Sequence, residues 1–206
     1  MGRMFLVRHG ETIWNNELRY QGHSDIPLNE AGRQQASKLA DRLKGEKIDY
    51  FYASDLSRAM ETAQIIAEPH AKTVTGVELL RETRFGVWEG MKFTEIQEMY
   101  PELWEKWKVD PRGTLIPEGE YLDHVAARVM QGIREIMTRH PHDTVLVAAH
   151  GGTIRLILAE LLQMDLSNIW RIRQDNTALN IIDIYGDRPI VAVINDIHHL
   201  GLGLPK

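Results

Sequence analysis

Residues 145–149, Val-Leu-Val-Ala-Ala, form an unbroken apolar run that ends in His150-Gly151-Gly152-Thr153. A run with no polar alternation predicts a strand covered on both faces, the central position of a parallel sheet. Residues 4–7, Met-Phe-Leu-Val, repeat the pattern at the other end of the chain and run straight into Arg8-His9-Gly10-Glu11-Thr12. Two strands of this kind call for a layered molecule with helices packed on both faces of the sheet.

The rest of the chain supplies those helices. Asn29 is placed to cap a helix whose stripe is Ala36, Leu39, Ala40 and Leu43, at i, i+3, i+4 and i+7, and Gly45 ends it. Residues 48–53 read as a second strand. Ser54 or Asp55 is placed to cap the next helix, which carries Ala59, Ala63, Ile66 and Ala67 on its apolar face and stops at Pro69. Residues 73–77 are a weaker third strand. Leu122, Val125, Ala126, Val129, Ile133, Ile136 and Met137 share one helical face, and a mostly apolar helix follows His150 to Leu162. Residues 181–185 and 190–194 flank Gly186-Asp187-Arg188 as a hairpin at the sheet edge. The expected fold is an α/β three-layer sandwich: a largely parallel sheet, helices on both faces and an antiparallel edge hairpin, in one domain over residues 1–206. Residues 85–117 stand apart. They hold Phe85, Trp88, Phe93, Tyr100, Trp104 and Trp107 between Gly and Pro punctuation, and are expected as an insertion over one edge of the sheet.

Composition narrows the function. The net charge is −5 and no Lys/Arg-rich block occurs, which argues against a nucleic-acid partner. The chain has no cysteine, so disulfides, thiolate metal sites and a cysteine nucleophile are excluded. The first apolar run is too short for a signal peptide, and no stretch is long enough to span a membrane, so a cytoplasmic protein is expected. Of the nine histidines, His140 with His142 and His198 with His199 are the obvious pairs. The first pair flanks a proline in a loop, the second has no acidic partner motif beyond Asp196, and no metal site is expected.

In an open parallel sheet, ligands bind at the carboxyl ends of the strands. Both buried strands end in His-Gly, and if they are neighbours both imidazoles enter one crevice. Gly151-Gly152 then opens a helix whose N-terminus favours an anion. Arg8 sits beside His9 and must turn at the strand end to share the site. Arg58 lies in the first turn of the helix after the second strand, where a cation opposes the helix dipole but is again at a strand's carboxyl end. Guanidinium forks match phosphate oxygens, so the site is expected to hold a phosphoryl group. There is no P-loop and no Gly-x-Ser-x-Gly elbow. A neutral histidine is a competent nucleophile toward phosphorus, and an arginine-lined pocket stabilises the transferring group. Glu82 follows the third strand; a carboxyl in a partly apolar mouth can act as the general acid, although spacing alone does not separate Glu82 from a surface glutamate.

The segments LVRHGET, QGHSDIPLNEAG, ASDLSRAMETA, GVWEG and VAAHGG occur in the order found in the histidine phosphatase, or phosphoglycerate mutase-like, superfamily, and the chain resembles that family from Phe5 to about Asp196. The resemblance implies that His9 is the nucleophile that becomes phosphohistidine. It implies that Arg8, Arg58 and His150 hold the phosphoryl oxygens, with Gly151 beside them, that Asn15 adds a donor, and that Gln21 and Gly22 line the mouth. Glu82 would be the proton donor and then the base for water. No metal and no cofactor would be needed. FGVWEG, where mutases of this family carry a YGxLQG-like segment, resembles the phosphatase branch, and the tail VINDIHHL resembles α-ribazole phosphatases and metal-independent phosphoserine phosphatases. Many relatives have Gly-Glu-Ser where this chain has Gly119-Glu120-Tyr121, and the larger Tyr121 is expected to narrow the mouth. The implied function is hydrolysis of a small phosphorylated metabolite with phosphate as product. A phosphoglycerate mutase-type transfer and a non-catalytic phospho-ligand binding protein are the alternatives. The edge hairpin or the tail leaves a homodimer open.

Overall fold

The computed structural model describes residues 1–186 and 188–201; Asp187, in the expected hairpin turn, lies outside them. In chain order the elements are β1 (Gly2–Arg8), α1 (Ile13–Asn16), α2 (Glu30–Leu43), β2 (Tyr50–Ala53), α3 (Ser57–Ala67), β3 (Val74–Gly76), α4 (Phe93–Met99), α5 (Pro101–Val109), α6 (Leu122–Arg139), β4 (Thr144–Ala149), α7 (Gly151–Leu161), β5 (Leu179–Tyr185) and β6 (Arg188–Asp196). The six strands form one sheet in the order β3-β2-β4-β1-β5-β6. The β3–β2, β2–β4 and β4–β1 pairs are parallel, while β5 and β6 add to β1 antiparallel.

The pleat explains why β1 and β4 carry no polar residue in their centres. Met4, Leu6, Val145, Val147 and Ala149 point to one face and pack with α6 and α7. Phe5, Val7, Leu146 and Ala148 point to the other and pack with α2 and α3. Each fully buried Leu, Ile or Val stabilises the fold by roughly 1.5–3 kcal/mol relative to exposure, so both strands are anchored from both sides. This is the expected three-layer α/β sandwich with an antiparallel edge pair.

Local signals hold in some places and fail in others. Asn29 caps α2 as its sequence position predicts, its Oδ1 accepting the Gly32 N–H at 2.8 Å. The cap of α3 is not Ser54 or Asp55. Leu56 occupies the N-cap position, and Asp25, from a distant loop, accepts the Ser57 N–H at 2.8 Å and its hydroxyl at 2.7 Å. Asp55 instead pairs with Arg81. Tyr121 is not among the residues that line the cavity at the carboxyl ends of the strands; it is 40% exposed and sits at the N-cap of α6, where it supplies no capping bond. In the aromatic segment, Trp88, Ile96, Trp107 and Ile116 join the core cluster on the α6 and α7 side, and Phe85, Phe93, Trp104 and Trp107 reach the carboxyl ends of the strands. Among the described residues, no helix is long and apolar enough to cross a membrane.

Candidate active site

β1 and β4 are direct neighbours, with Arg8 opposite Ala149, so both strands release their His-Gly pairs at the same edge. The His9 N–H donates to the Ala149 carbonyl at 3.0 Å, and the His9 and His150 rings lie 5.3 Å apart. A cavity of about 650 Å³ opens there, and Arg8, His9, Asn15, Gln21, Gly22, Arg58, Glu82 and Gly151 all line it. His150 is fully buried next to His9.

His9 Nδ1 donates to the Gly10 carbonyl at 2.7 Å. That bond assigns the hydrogen to Nδ1 and leaves the Nε2 lone pair free. Burial first, then the Arg58 and Arg8 charges, hold the His9 pKa well below its ordinary value, so the ring is neutral. The same is true of His150, with burial the largest cause and Arg58 next.

Arg58 is completely buried, and its two terminal nitrogens donate to the Ser24 and Gly22 carbonyls, each at 2.8 Å. The loop that supplies those acceptors needs Gly22 in the left-handed region at φ +54°, where a Cβ would also strike the Glu89 carboxylate. Arg8 turns at the strand end as required and donates to the Gln174 carbonyl at 2.7 Å. Burial pushes both guanidinium pKa values down to about 10, which leaves them cationic at neutral pH. The Nε atoms of Arg8 and Arg58 and both ring nitrogens of His150 are buried without a protein partner. Unpaired buried polar atoms cost about 1–3 kcal/mol each, and an anion with several oxygens accepts from both guanidinium Nε–H groups and from the one N–H of neutral His150. Asn15 Oδ1 accepts from the Thr12 N–H at 3.1 Å, which turns its amide nitrogen away from that bond and free to donate; Gln21 Oε1 accepts the Thr12 hydroxyl at 3.0 Å.

Glu82 is placed by contacts that spacing does not reveal. Its Oε2 accepts the Gly152 N–H at 2.8 Å, and its Oε1 accepts those of Thr153 at 3.0 Å and Thr83 at 2.9 Å. The helix N-terminus expected to receive the substrate's anion is therefore occupied, at two of its amides, by the protein's own carboxyl group.

Several contributors escape a sequence reading. Arg155, one turn into α7, lines the cavity, donates to the Ile172 carbonyl at 2.7 Å and lies over the Trp170 ring at 5.4 Å. The only signal for it is its i+4 spacing from Gly151, which puts it on the same helix face. Glu89 binds the Ser24, His23 and Phe85 amides and so fixes the loop that holds Arg58. Asn176 donates to the His9 carbonyl at 3.1 Å. The histidine pairs lie elsewhere. His140 stacks on Tyr50 at 3.7 Å with its Nε2 2.7 Å from the Tyr52 hydroxyl, and His199 Nε2 is 2.9 Å from the Thr177 hydroxyl. Among the described residues no three His, Asp or Glu side chains converge as a metal-binding group.

Known proteins resemble this chain over nearly its whole length. The family model for the histidine phosphatase superfamily (branch 1) matches residues 4–197. Phosphoserine phosphatase 1 of Hydrogenobacter thermophilus is 36% identical over 201 residues, covering 98% of this chain and 95% of that protein. Phosphoglycerate mutase-like protein 4 of Arabidopsis thaliana is 38% identical over 199 residues, covering 95% of this chain and 85% of that protein. The solved structure of Bacillus stearothermophilus YhfR superposes with a TM-score of 0.93 at 34% identity, covering 97% of this chain and 100% of that one. With a family match across nearly its whole length and the two His-Gly strand ends at one cavity, the chain belongs to the histidine phosphatase superfamily.

Proposed function

We propose that this histidine phosphatase hydrolyses a small phosphorylated metabolite through a phosphohistidine on His9, without a metal ion or cofactor. The observation that carries the reading is the His9 Nδ1–Gly10 carbonyl bond, which leaves a neutral Nε2 inside a buried cage of Arg8, Arg58 and His150.

In the first step the Nε2 lone pair forms a bond to phosphorus as the ester P–O bond breaks. The leaving oxygen takes a proton from Glu82. Arg8 and Arg58 hold the charge on the transferring group, a role for which their fixed, desolvated donors are suited. In the second step Glu82 takes a proton from water, the water oxygen bonds to phosphorus and the P–N bond breaks, releasing phosphate and neutral His9. Glu82 Oε2 has one amide partner where Oε1 has two, so Oε2 is the oxygen with acceptor capacity to spare for this proton. The substrate is a phosphomonoester small enough for a 650 Å³ cavity; the phosphoserine phosphatase relative supports a small metabolite. Transfer to a second hydroxyl uses the same first step, and the mutase-like relative makes it the alternative to test.

The test is a rapid acid-free quench with radiolabelled phosphomonoester, in EDTA, on the wild type and His9→Ala. An alkali-stable, acid-labile protein label that the variant lacks, together with phosphate release unaffected by EDTA, is the expected result. Turnover that survives in His9→Ala, or that EDTA abolishes, sinks the proposal. Stimulation only by a bisphosphate primer turns it into the mutase reading.

A further inference from the structure

Glu82 stands outside regular secondary structure, between β3 and the aromatic segment, so nothing in the sheet fixes its backbone. One side chain on α6 does. Arg128 Nη1 donates to the carbonyls of Leu79 at 2.9 Å and Arg81 at 2.8 Å, and its Nη2 donates to the carbonyl of Glu82 at 2.8 Å. Its remaining fork faces Glu120, with Nε 3.1 Å from Oε1 and Nη2 3.0 Å from Oε2. A planar guanidinium has five N–H groups in a rigid fork, and here each has an acceptor.

Glu120 is tied to the same stretch of chain. Its Oε2 accepts the Arg84 N–H at 2.9 Å, and its own N–H donates to the Arg84 carbonyl at 3.0 Å. His23 Nε2 adds a second donor to the Glu82 carbonyl at 2.9 Å. Glu82 is thus gripped at both ends by different helices: its carbonyl by Arg128 on α6, its carboxyl by the first amides of α7. Neither grip alone fixes the angle at which the carboxyl meets a leaving oxygen. Without Arg128 the Glu82 carbonyl keeps only the His23 donor and the Arg81 carbonyl only the Thr153 hydroxyl at 3.0 Å, so the backbone of residues 79–82 loses most of its anchors and the carboxyl pivots about the α7 amides.

We propose that Arg128, locked by Glu120, is the positioning residue for Glu82 in proton transfer to the leaving group. The inference rests on the role given to Glu82 above. Arg128 touches neither substrate nor the reacting atoms; it acts by where it holds the Glu82 backbone. A lysine cannot replace it, because an ammonium offers three donors at a point rather than a fork that spans three carbonyls.

A leaving-group comparison separates positioning from general damage. p-Nitrophenyl phosphate leaves with little proton help, whereas glycerol 2-phosphate needs an acid. Arg128→Met is expected to lower kcat/KM on glycerol 2-phosphate by about tenfold or more while that on p-nitrophenyl phosphate stays within roughly twofold, since general acid catalysis is worth about 10²–10⁴ in rate. Hydrolysis of the phosphohistidine, which also uses Glu82, is common to both esters and does not enter kcat/KM. In a Glu82→Gln background, Arg128→Met is expected to add no further loss on glycerol 2-phosphate. Arg128→Lys and Glu120→Gln keep part of the hydrogen bonding, are expected to show the same split at smaller amplitude, and carry the test if Arg128→Met does not fold. Equal losses on both esters, or an additive loss in the Glu82→Gln background, overturn the inference while leaving Glu82 in place. Absence of any split in Glu82→Gln itself overturns the role of Glu82 and the inference with it.

Discussion

Gly10→Ala tests how closely β1 and α2 must approach to present the nucleophile. Gly10 does not have a positive φ, so the substitution brings no backbone strain of the left-handed kind. What it brings is a methyl group with nowhere to go. A Cβ on Gly10 would lie 2.5 Å from the Gly32 carbonyl oxygen and 2.9 Å from its carbon. The reverse contact is as tight: a Cβ on Gly32 would lie 2.7 Å from the Glu11 nitrogen. Every obstructing atom is backbone, so no rotamer change relieves the clash, and the strand end must move away from the helix. Overpacking of this kind costs about 1–3 kcal/mol, and with only backbone to yield the upper half of that range applies. For a urea m-value of about 2 kcal/mol/M, the unfolding midpoint falls by roughly 1 M. The same shift displaces the Gly10 carbonyl that fixes the His9 ring at 2.7 Å and the Gly10 amide that donates to the Thr62 hydroxyl at 3.0 Å. A misplacement of about 1 Å at a reacting atom costs on the order of 100-fold in kcat. Urea unfolding and steady-state hydrolysis of p-nitrophenyl phosphate measure both effects. Gly45→Ala is the control, because a Cβ there meets nothing within 4 Å; its stability is expected to stay within about 0.5 kcal/mol of wild type. A Gly10→Ala protein with wild-type midpoint and kcat refutes the claim that this contact sets the position of His9.

Two other expectations follow from the same site and its surroundings. The folded protein holds His9 and His150 neutral with pKa values well below the ordinary 6.5, whereas the unfolded chain protonates them at the ordinary value. The unfolded state therefore binds more protons once pH falls below 6.5, so their contribution is complete above that pH and is lost below it, at up to about 1.4 kcal/mol per pH unit for each ring. Urea midpoints measured from pH 8 to about pH 5 are expected to be level first and then to fall, less steeply in His150→Ala; a level profile throughout contradicts buried neutral rings. Tyr121→Ser supplies the side-chain cap that α6 lacks and is expected to stabilise the protein by about 1 kcal/mol with KM unchanged, checked by urea unfolding and initial rates. A changed KM would return Tyr121 to the mouth of the cavity.

How far the sequence carries can be judged from particular residues. β1, β4 and their His-Gly ends are legible because burial on both faces writes itself into consecutive residues. The faces of α2, α3, α6 and α7 are legible because a helix repeats every few positions. Both are local statements. The cap of α3 is not local: Asp25 lies 32 positions from the Ser57 it binds. Glu82 lies 70 positions from Gly152, so no spacing rule could announce that it would take the N-terminus of α7 in place of the substrate. Arg58 looks like any charged residue in a first helical turn, and only the Gly22 and Ser24 carbonyls, brought in from another loop, make its burial affordable. The aromatic segment advertises that it must pack, yet its composition does not say against what.

The strand order has a consequence for how the protein is made. β1 and β2 never touch; each pairs with β4, which sits between them. A growing chain must reach residue 144 before its two earliest strands acquire a common neighbour. Until then the nascent polypeptide carries unpaired apolar edges, the condition in which chains associate wrongly or require chaperones. The same delay keeps His9 without its companion His150 through most of synthesis. The parallel half of the sheet and the meeting of the two His-Gly ends both wait on one six-residue strand, β4, after which β5 and β6 close the other edge.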